Sequence, residues 1–449
     1  MTIDEAKPSP ETAPSPPSAS TARHTRRAWY IVILLTLLYG LSFTDRLILA
    51  LVAQPVASAL TLSDGQLALL LGAGFAVVYA LGGVPIADRI DRGNRMLIIA
   101  GGVALWSVMT ILSAFASNFW MLLGLRAGVA LGEAVLTPAA VSLIGDLFPA
   151  NKRAVPTAVY GSMGSIMSTG AFILGGAVVA FSGTITQQTG LAVWQLTFII
   201  LGAPGLIMAA IILLTTRDPR RDGPTATARA STVSFSGMAR YVGENWSFYL
   251  PFYVGLALIT IVSMGTISWM PTVIFRNFGL PVAEAGYRLG GVGLVAGVIA
   301  AIFWPWLVTR MARRGRRDGT LLTLFSSGAV ATVALVVGLL QNQINLVLAG
   351  FFVAMVGLAS VGVLGPLALQ SYGPRPVRAR LTSLYILATG LFGYAVGPLT
   401  VVALSRLWGQ AASALSHGVM LNAAVAGTLS SLAFLLCIRS ARRMSSDID

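Results

Sequence analysis

Runs of about 20 uninterrupted apolar residues recur from one end of this chain to the other, and such runs leave few folds open. A helix rises about 1.5 Å per residue, so each run can cross a hydrocarbon layer of roughly 30 Å. No water in that layer can satisfy a backbone N–H or C=O, so a crossing segment is a helix or part of a closed barrel. The runs are continuous rather than alternating, which argues against a barrel. Composition agrees: 56% of the 449 residues are hydrophobic and only 10% are charged, with a mean hydropathy of +0.80. A soluble chain of this size carries more charge than that. Twelve crossing runs are expected, the first at 28–52 and the last at 418–438.

The formal net charge of +14 raises the question of nucleic acid, and the placement of the charges answers it. Basic residues concentrate in the segments 23–27, 89–95, 152–153, 217–240, 310–317, 375–380 and 439–443, which lie on alternate sides of the runs. This is the positive-inside pattern. It places both termini in the cytoplasm and argues against a nucleic-acid partner. The one cysteine, Cys437, excludes an internal disulfide, and His24 and His417 are too far apart in sequence for metal-ligand spacing. Neither Lys7 nor Lys152 follows a glycine, so a Walker A loop is absent. No cofactor or metal is called for. The scarcity of histidine and cysteine also argues against a membrane-embedded enzyme.

Residues 1–27 begin with a stretch rich in Pro, Ser, Thr and Ala, expected to be a disordered cytoplasmic tail. Two six-helix bundles are expected at 28–216 and 244–438, joined by a polar cytoplasmic linker at 217–243 and followed by a tail at 439–449. An internal repeat supports the division. "FPANKRA" (148–154) is echoed by "GPRPVRA" (373–379), aligning Pro149 with Pro374 and Arg153 with Arg378. "DRG" (91–93) is echoed by "RRG" (313–315). Parallel repeats of this kind are the usual architecture of a rocker-switch transporter.

Several stretches together resemble the major facilitator superfamily and, within it, the spinster-like branch. "GGVPIADRIDRGNR" (82–95) resembles the family's signature between spans 2 and 3, with Val84 and Asp91 where glycines are usual. In the second-half copy Arg310 takes the place of Asp88. "FTDRLILA" (43–50) resembles the spinster-like Asp-Arg pair of span 1. "LRAGVALGEAVLTPAAVSLIGDLFPANKR" (125–153) resembles that branch's span 4, with Ala130 in place of one glycine. "WQLTF" (194–198) has Gln195 where an arginine is common, so no role is carried over there. "ISWMPTVIFRNFGL" (267–280) resembles the start of the second half. The resemblance implies an all-α integral membrane protein of the major facilitator fold, working by alternating access.

Four ionisable residues fall well inside runs: Asp45, Arg46, Arg126 and Glu133. Charges at that depth are costly and tend to pair inside a bundle. Arg126 and Glu133 share a helix face but lie about 10 Å apart along it, too far for easy direct contact. Asp45 and Arg46 point about 100° apart. Counted from the outer helix ends, Asp45 and Arg126 sit at similar depth and form a natural pair. Glu133 lies deeper, with no cation at its own level, and is expected to meet one only through water or in one conformation. One reading is an inert salt-bridge knot that orients two helices. The other assigns proton coupling to Glu133 and Asp45, and substrate or charge pairing to Arg46 and Arg126. Burial penalises a carboxylate's charged form, whereas arginine keeps its proton. The resemblance likewise implicates the Asp-Arg pair and the glutamate in proton-linked transport.

The resemblance also implies a cytoplasmic gate at Asp88, Arg89, Arg92 and Arg153, with Asp88 meeting the N-terminal end of span 11 in the outward-open form. Ordinary positive-inside anchoring is the alternative. Tyr39, Ser263, Thr266, Trp269, Gln370, Tyr385 and Tyr394 are candidates for the cavity lining; plain helix packing is the alternative for each. Spinster-like relatives suggest a lysolipid or sphingolipid-like substrate. Aromatic or other small carboxylates, a drug-type efflux carrier, and a transporter-like sensor or channel stay open. The expected partners are protons, a small-molecule or lipid substrate and membrane lipids, around a monomer in the inner or plasma membrane.

Overall fold

The computed structural model describes residues 19–219, 235–316, 318–374, 377–409 and 411–446. All regular structure among them is helical, and twelve helices are long and apolar enough to cross a membrane. In the first half these are α1 (Thr25–Leu51), α2 (Asp64–Gly83), α3 (Arg95–Ser113), α4 (Phe119–Leu147), α5 (Ile166–Thr189) and α6 (Val193–Thr215). The second half holds α7 (Trp246–Phe278), α8 (Val282–Arg313), α9 (Gly319–Leu339), α10 (Ile344–Tyr372), α11 (Arg380–Trp408) and α12 (Ala414–Ala441). An even number of crossings returns the chain to one face, called here the terminus face; the other is the far face.

The polar segments differ from expectation at their edges. Of the tail expected at 1–27, residues 1–18 lie outside the described residues, but the helix containing α1 already begins at Ala19. Ala and Arg in "ASTARHTRRA" favour continuing the helix. Of the linker expected at 217–243, residues 220–234 lie outside the described residues. Its end forms a short helix, Phe235–Glu244, whose Met238 is buried. At the other end the helix containing α12 runs on to Ser446, through most of the tail expected at 439–449.

The halves repeat one another in local detail. α4 opens into a turn at Ala134–Val135, where Pro138 has no N–H to offer the carbonyl of Ala134. α10 breaks at Ala359, about 225 residues on, the same offset that relates Pro149 to Pro374. A Cβ on Gly132 would lie 2.6 Å from the carbonyl oxygen of Gly102, and one on its counterpart Gly357 would lie 2.6 Å from that of Ser327. The bare backbones thus let α3 meet α4, and α9 meet α10, at close range. Arg153 Nε donates to the carbonyl of Phe148 at 2.9 Å, and Arg378 Nη2 to that of Gly373 at 2.9 Å. Each acceptor is the residue that ends a helix, so both arginines close a C-terminus in the same way.

The first half carries one further pin. Arg95, read in sequence as one of the basic anchors, is fully buried. Its Nη2 lies 2.6 Å from Asp218 and its Nη1 2.7 Å from Asp146, tying the start of α3 to the ends of α4 and α6.

The halves meet mainly toward the far face. α5 packs along α8, and α2 along α11. A cluster of Ala53, Ala57, Leu67 and Ala68 from the first half encloses Trp269, Val273, Val401 and Val402 from the second. Arg276 at the end of α7 reaches across: Nη1 and Nη2 donate to the two oxygens of Asp64 at 2.8 and 2.6 Å, and Nε donates to Gln54 at 2.8 Å. Toward the terminus face the segments Leu136–Leu147, Ser360–Tyr372 and Arg378–Leu387 pack within their own halves. Among the described residues the halves are thus joined at the far face.

Candidate functional site

The four charged residues singled out in the sequence come together at the seam, on α1 and α4. Asp45, Arg126 and Glu133 are 2%, 2% and 1% exposed. The expected pair is present: Arg126 Nη1 lies 3.2 Å from Asp45 Oδ2. Thr110 of α3 donates to the other oxygen of Asp45 at 2.7 Å.

Glu133 also has a cation partner in this conformation. It meets a cation directly: Arg46 Nε donates to its Oε2 at 2.6 Å, and Ser42 Oγ donates to the same oxygen at 2.8 Å. Neighbours on α1 point about 100° apart, so Asp45 and Arg46 address different turns of α4, and the long arginine side chain covers the difference in depth. Two parallel ion pairs result, Asp45–Arg126 and Arg46–Glu133. As the axial spacing required, Arg126 and Glu133 do not bond to each other. Glu133 Oε1 and Arg126 Nε have no hydrogen-bond partner among the described residues.

Aromatic rings of α1 and α2 enclose the guanidinium of Arg46. Its Cζ lies 5.4 Å from the ring centroid of Phe43, 5.0 Å from Phe75 and 4.8 Å from Tyr79. Phe75 also faces Arg126, at 5.7 Å. Cation–π attraction in a desolvated setting holds the two arginines even where a carboxylate is not charged. Both arginines line a small cavity between the halves with Phe75, Met264, Ser268 and Tyr394. Its volume of about 20 Å³ is room for roughly one water molecule. α11 winds into a π-helical turn at Ala388–Gly393, just before Tyr394.

The remaining candidates scatter. Tyr39 stacks on Tyr160 of the helix containing α5, centroids 4.7 Å apart, and Ser263 is half-buried. Thr266 is buried, and its hydroxyl has no hydrogen-bond partner among the described residues. Trp269 does not line the small cavity: its ring sits in the far-face cluster and its Nε1 donates to the carbonyl of Pro398 at 3.0 Å. Tyr385 joins α11 to α10, donating to the carbonyl of Val361 at 3.1 Å. Gln370 is exposed near the end of α10. At the terminus face Asp88 pairs with Arg92 at 2.8 Å, their side chains 61% and 80% exposed. Arg89 is exposed, and Arg153 caps its own loop.

Ser42, Thr110, Phe75 and Tyr79 were not anticipated as partners. A hydroxyl or an aromatic ring in an apolar run carries no signal until its neighbours are known. The Asp64–Arg276 clamp was hidden for another reason, because charged residues at helix ends read as interfacial anchors.

A model of the Major Facilitator Superfamily matches residues 35–398. Among curated relatives, an MFS-type efflux pump of Mycolicibacterium smegmatis is 28% identical over 387 residues, spanning 85% of either chain. The "Probable galactarate/D-glucarate transporter GudP" of Escherichia coli is 21% identical over 95% of this chain and 97% of its own. Among solved structures, a bacterial homologue of the human lysosomal transporter Spinster, in an inward-facing and unoccupied conformation, superposes with a TM-score of 0.78. It is 26% identical and covers 94% of this chain and 98% of its own.

Proposed function

We propose that this chain, which belongs to the Major Facilitator Superfamily and is a membrane transporter similar to the spinster-like branch, moves an amphipathic or organic anion in exchange or in step with protons. The observation that carries the coupling is the pairing of Glu133. One oxygen is held by Arg46 and Ser42 while the other has no partner, so a proton can add there without displacing a donor. Protonation discharges the carboxylate, and the guanidinium of Arg46, 13% exposed at the cavity, becomes available to an anionic group. Arg46 stays in place because Phe43, Phe75 and Tyr79 surround it. Asp45 keeps Arg126 neutralised at the same level.

The cycle then alternates between this terminus-open form and one in which the Arg276–Asp64 clamp is broken and the terminus face shuts. Asp88, Arg89, Arg92 and Arg153 stand at that face as its gate. The basic loops support a cytoplasmic terminus face, and with that orientation this form is the inward-open one. Two arginines beside apolar walls suit a lipid with an anionic head. The relation to a transporter named for sugar diacids supports a small carboxylate as the second reading.

Flux into proteoliposomes under an imposed pH gradient tests the proposal, with lysolipids and organic acids as arms. Gradient-dependent movement of an anion supports it; flux of neutral compounds alone, indifferent to the gradient, sinks it. Cysteines introduced at positions 10, 230 and 445 are expected to resist an impermeant thiol reagent in intact cells, and ready labelling would reverse the orientation.

A further inference from the structure

A cleft of about 500 Å³ opens between α8 and α9, floored by α10 and lined by Ile299, Phe303, Trp304, Leu307, Val330 and Val353 among others. Its polar groups are all engaged within the protein. Trp304 Nε1 donates to the carbonyl of Val356 at 2.8 Å, Ser327 and Ser360 share a 2.7 Å hydrogen bond, and Ser326 donates to the carbonyl of Thr323 at 3.2 Å. What remains is a surface that offers an occupant only apolar contact. Ile299, Phe303, Val330 and Val353 are 40%, 37%, 53% and 40% exposed on helices that span a membrane, so the cleft faces hydrocarbon.

The terminus-side mouth of the cleft differs in charge from the equivalent segment of the first half. The helix end beyond α2 pairs Asp88 with Arg92, whereas the corresponding segment, "RMARRGRRDG", carries five arginines against one aspartate and has Arg310 in the place of Asp88. A continuous ladder joins this charge to the cleft. Arg310 lies over Trp306 at 5.6 Å, Trp306 lies 6.0 Å from Phe303, and Phe303 and Trp304 line the wall. Arg310, Arg313, Arg314 and Arg316 are exposed.

We infer that this cleft binds one anionic phospholipid of the terminus-face leaflet, with an acyl chain between α8 and α9 and its phosphate on Arg310. Basic residues at the mouth of an apolar interhelical cleft recognise a phosphate headgroup, and a tryptophan at the same level marks the interface. The charge selects against a zwitterionic lipid, and the length of the cleft below Arg310 selects a molecule with a chain over a free phosphate.

The full-length protein, purified in detergent, is incubated with equimolar phosphatidylglycerol and phosphatidylcholine and examined by native mass spectrometry. Retention of one phosphatidylglycerol, at least fivefold over phosphatidylcholine, is expected. Arg310→Gln is expected to bring that ratio near one, while Lys152→Gln, on another basic loop, leaves it unchanged. Val330→Trp, which fills the cleft, is expected to lower retention of both lipids; if it fails to fold, Val353→Phe takes its place. Equal retention of the two lipids by the unaltered protein overturns the site, as does a ratio unmoved by Arg310→Gln. Glycerol phosphate competing as well as the whole lipid overturns the role of the cleft.

Discussion

In α4 the helix breaks directly after Glu133; in α10 the matching break directly follows Leu358. The same offset sets Arg126 against Phe351 and Thr110 against Leu335, and all three second-half residues are buried. One backbone plan is therefore packed twice, once around two ion pairs and once around hydrocarbon. The second half demonstrates that the broken helix and its close neighbours need no charge to hold together. Replacing buried ion pairs by packed apolar groups is often neutral or stabilising. Charges kept in one half only, at the seam where the halves meet, are better explained by work done there than by folding.

Making the first half resemble the second at one atom is expected to cost transport most. Glu133→Gln keeps the shape and the hydrogen bond from Ser42 while fixing the neutral state. Gradient-driven flux is expected to fall at least about 100-fold, with insertion and thermal stability little changed. Full pH-dependent flux in this variant would return the ion pairs to a structural role. Asp45→Asn strands Arg126 as a buried, unpaired charge and is expected to cost about 3–5 kcal/mol, read as a drop in thermal stability in detergent. The joint change Asp45→Met with Arg126→Phe replaces the ion pair by apolar side chains, as the second half has at Phe351. It is expected to recover most of that stability but not transport. If the joint variant is as unstable as Asp45→Asn, the two packings are not interchangeable.

The far and terminus faces offer the next contrast. Arg276→Gln removes the bidentate contact to Asp64 and is expected to shift the population toward a form open at the far face, by about 5–30-fold for a loss of 1–2 kcal/mol. Asp88→Asn is expected to act in the opposite direction, and by less, because Asp88 is largely exposed in this form. Spin-label distances across each face check both. Unchanged terminus-face distances in Asp88→Asn remove it from the gate.

Hydrophobic run length alone gave the twelve crossings, because the bilayer leaves so few structures that satisfy a backbone. The Asp45–Arg126 pair was legible because depth along two helices is simple arithmetic. The Arg46–Glu133 pair was not, since side-chain reach of several ångströms decides it. Trp269 and Tyr385 were left between cavity and packing for a related reason. An aromatic residue in an apolar run looks the same in sequence whether it faces a cavity or bonds a carbonyl one helix away. The burial of Arg95 was hidden because its partners, Asp146 and Asp218, lie far apart in sequence.

The smallest effect tests the repeat itself. Arg153 and Arg378 close equivalent helix ends with equivalent bonds, and a hydrogen bond from a charged donor to such a carbonyl contributes about 1 kcal/mol. If capping were the whole role of both, Arg153→Ala and Arg378→Ala would lower stability by about that amount and alter transport equally. The gate assigned to Arg153 predicts a difference on top of equal stability losses. Arg153→Ala should also shift the balance between the two open forms, while Arg378→Ala should leave it in place. Thermal unfolding of the two variants side by side measures the shared part, and terminus-face distances measure the remainder. Equal distances in both variants reduce Arg153 to a cap and confine the gate to the helix end that carries Asp88, Arg89 and Arg92.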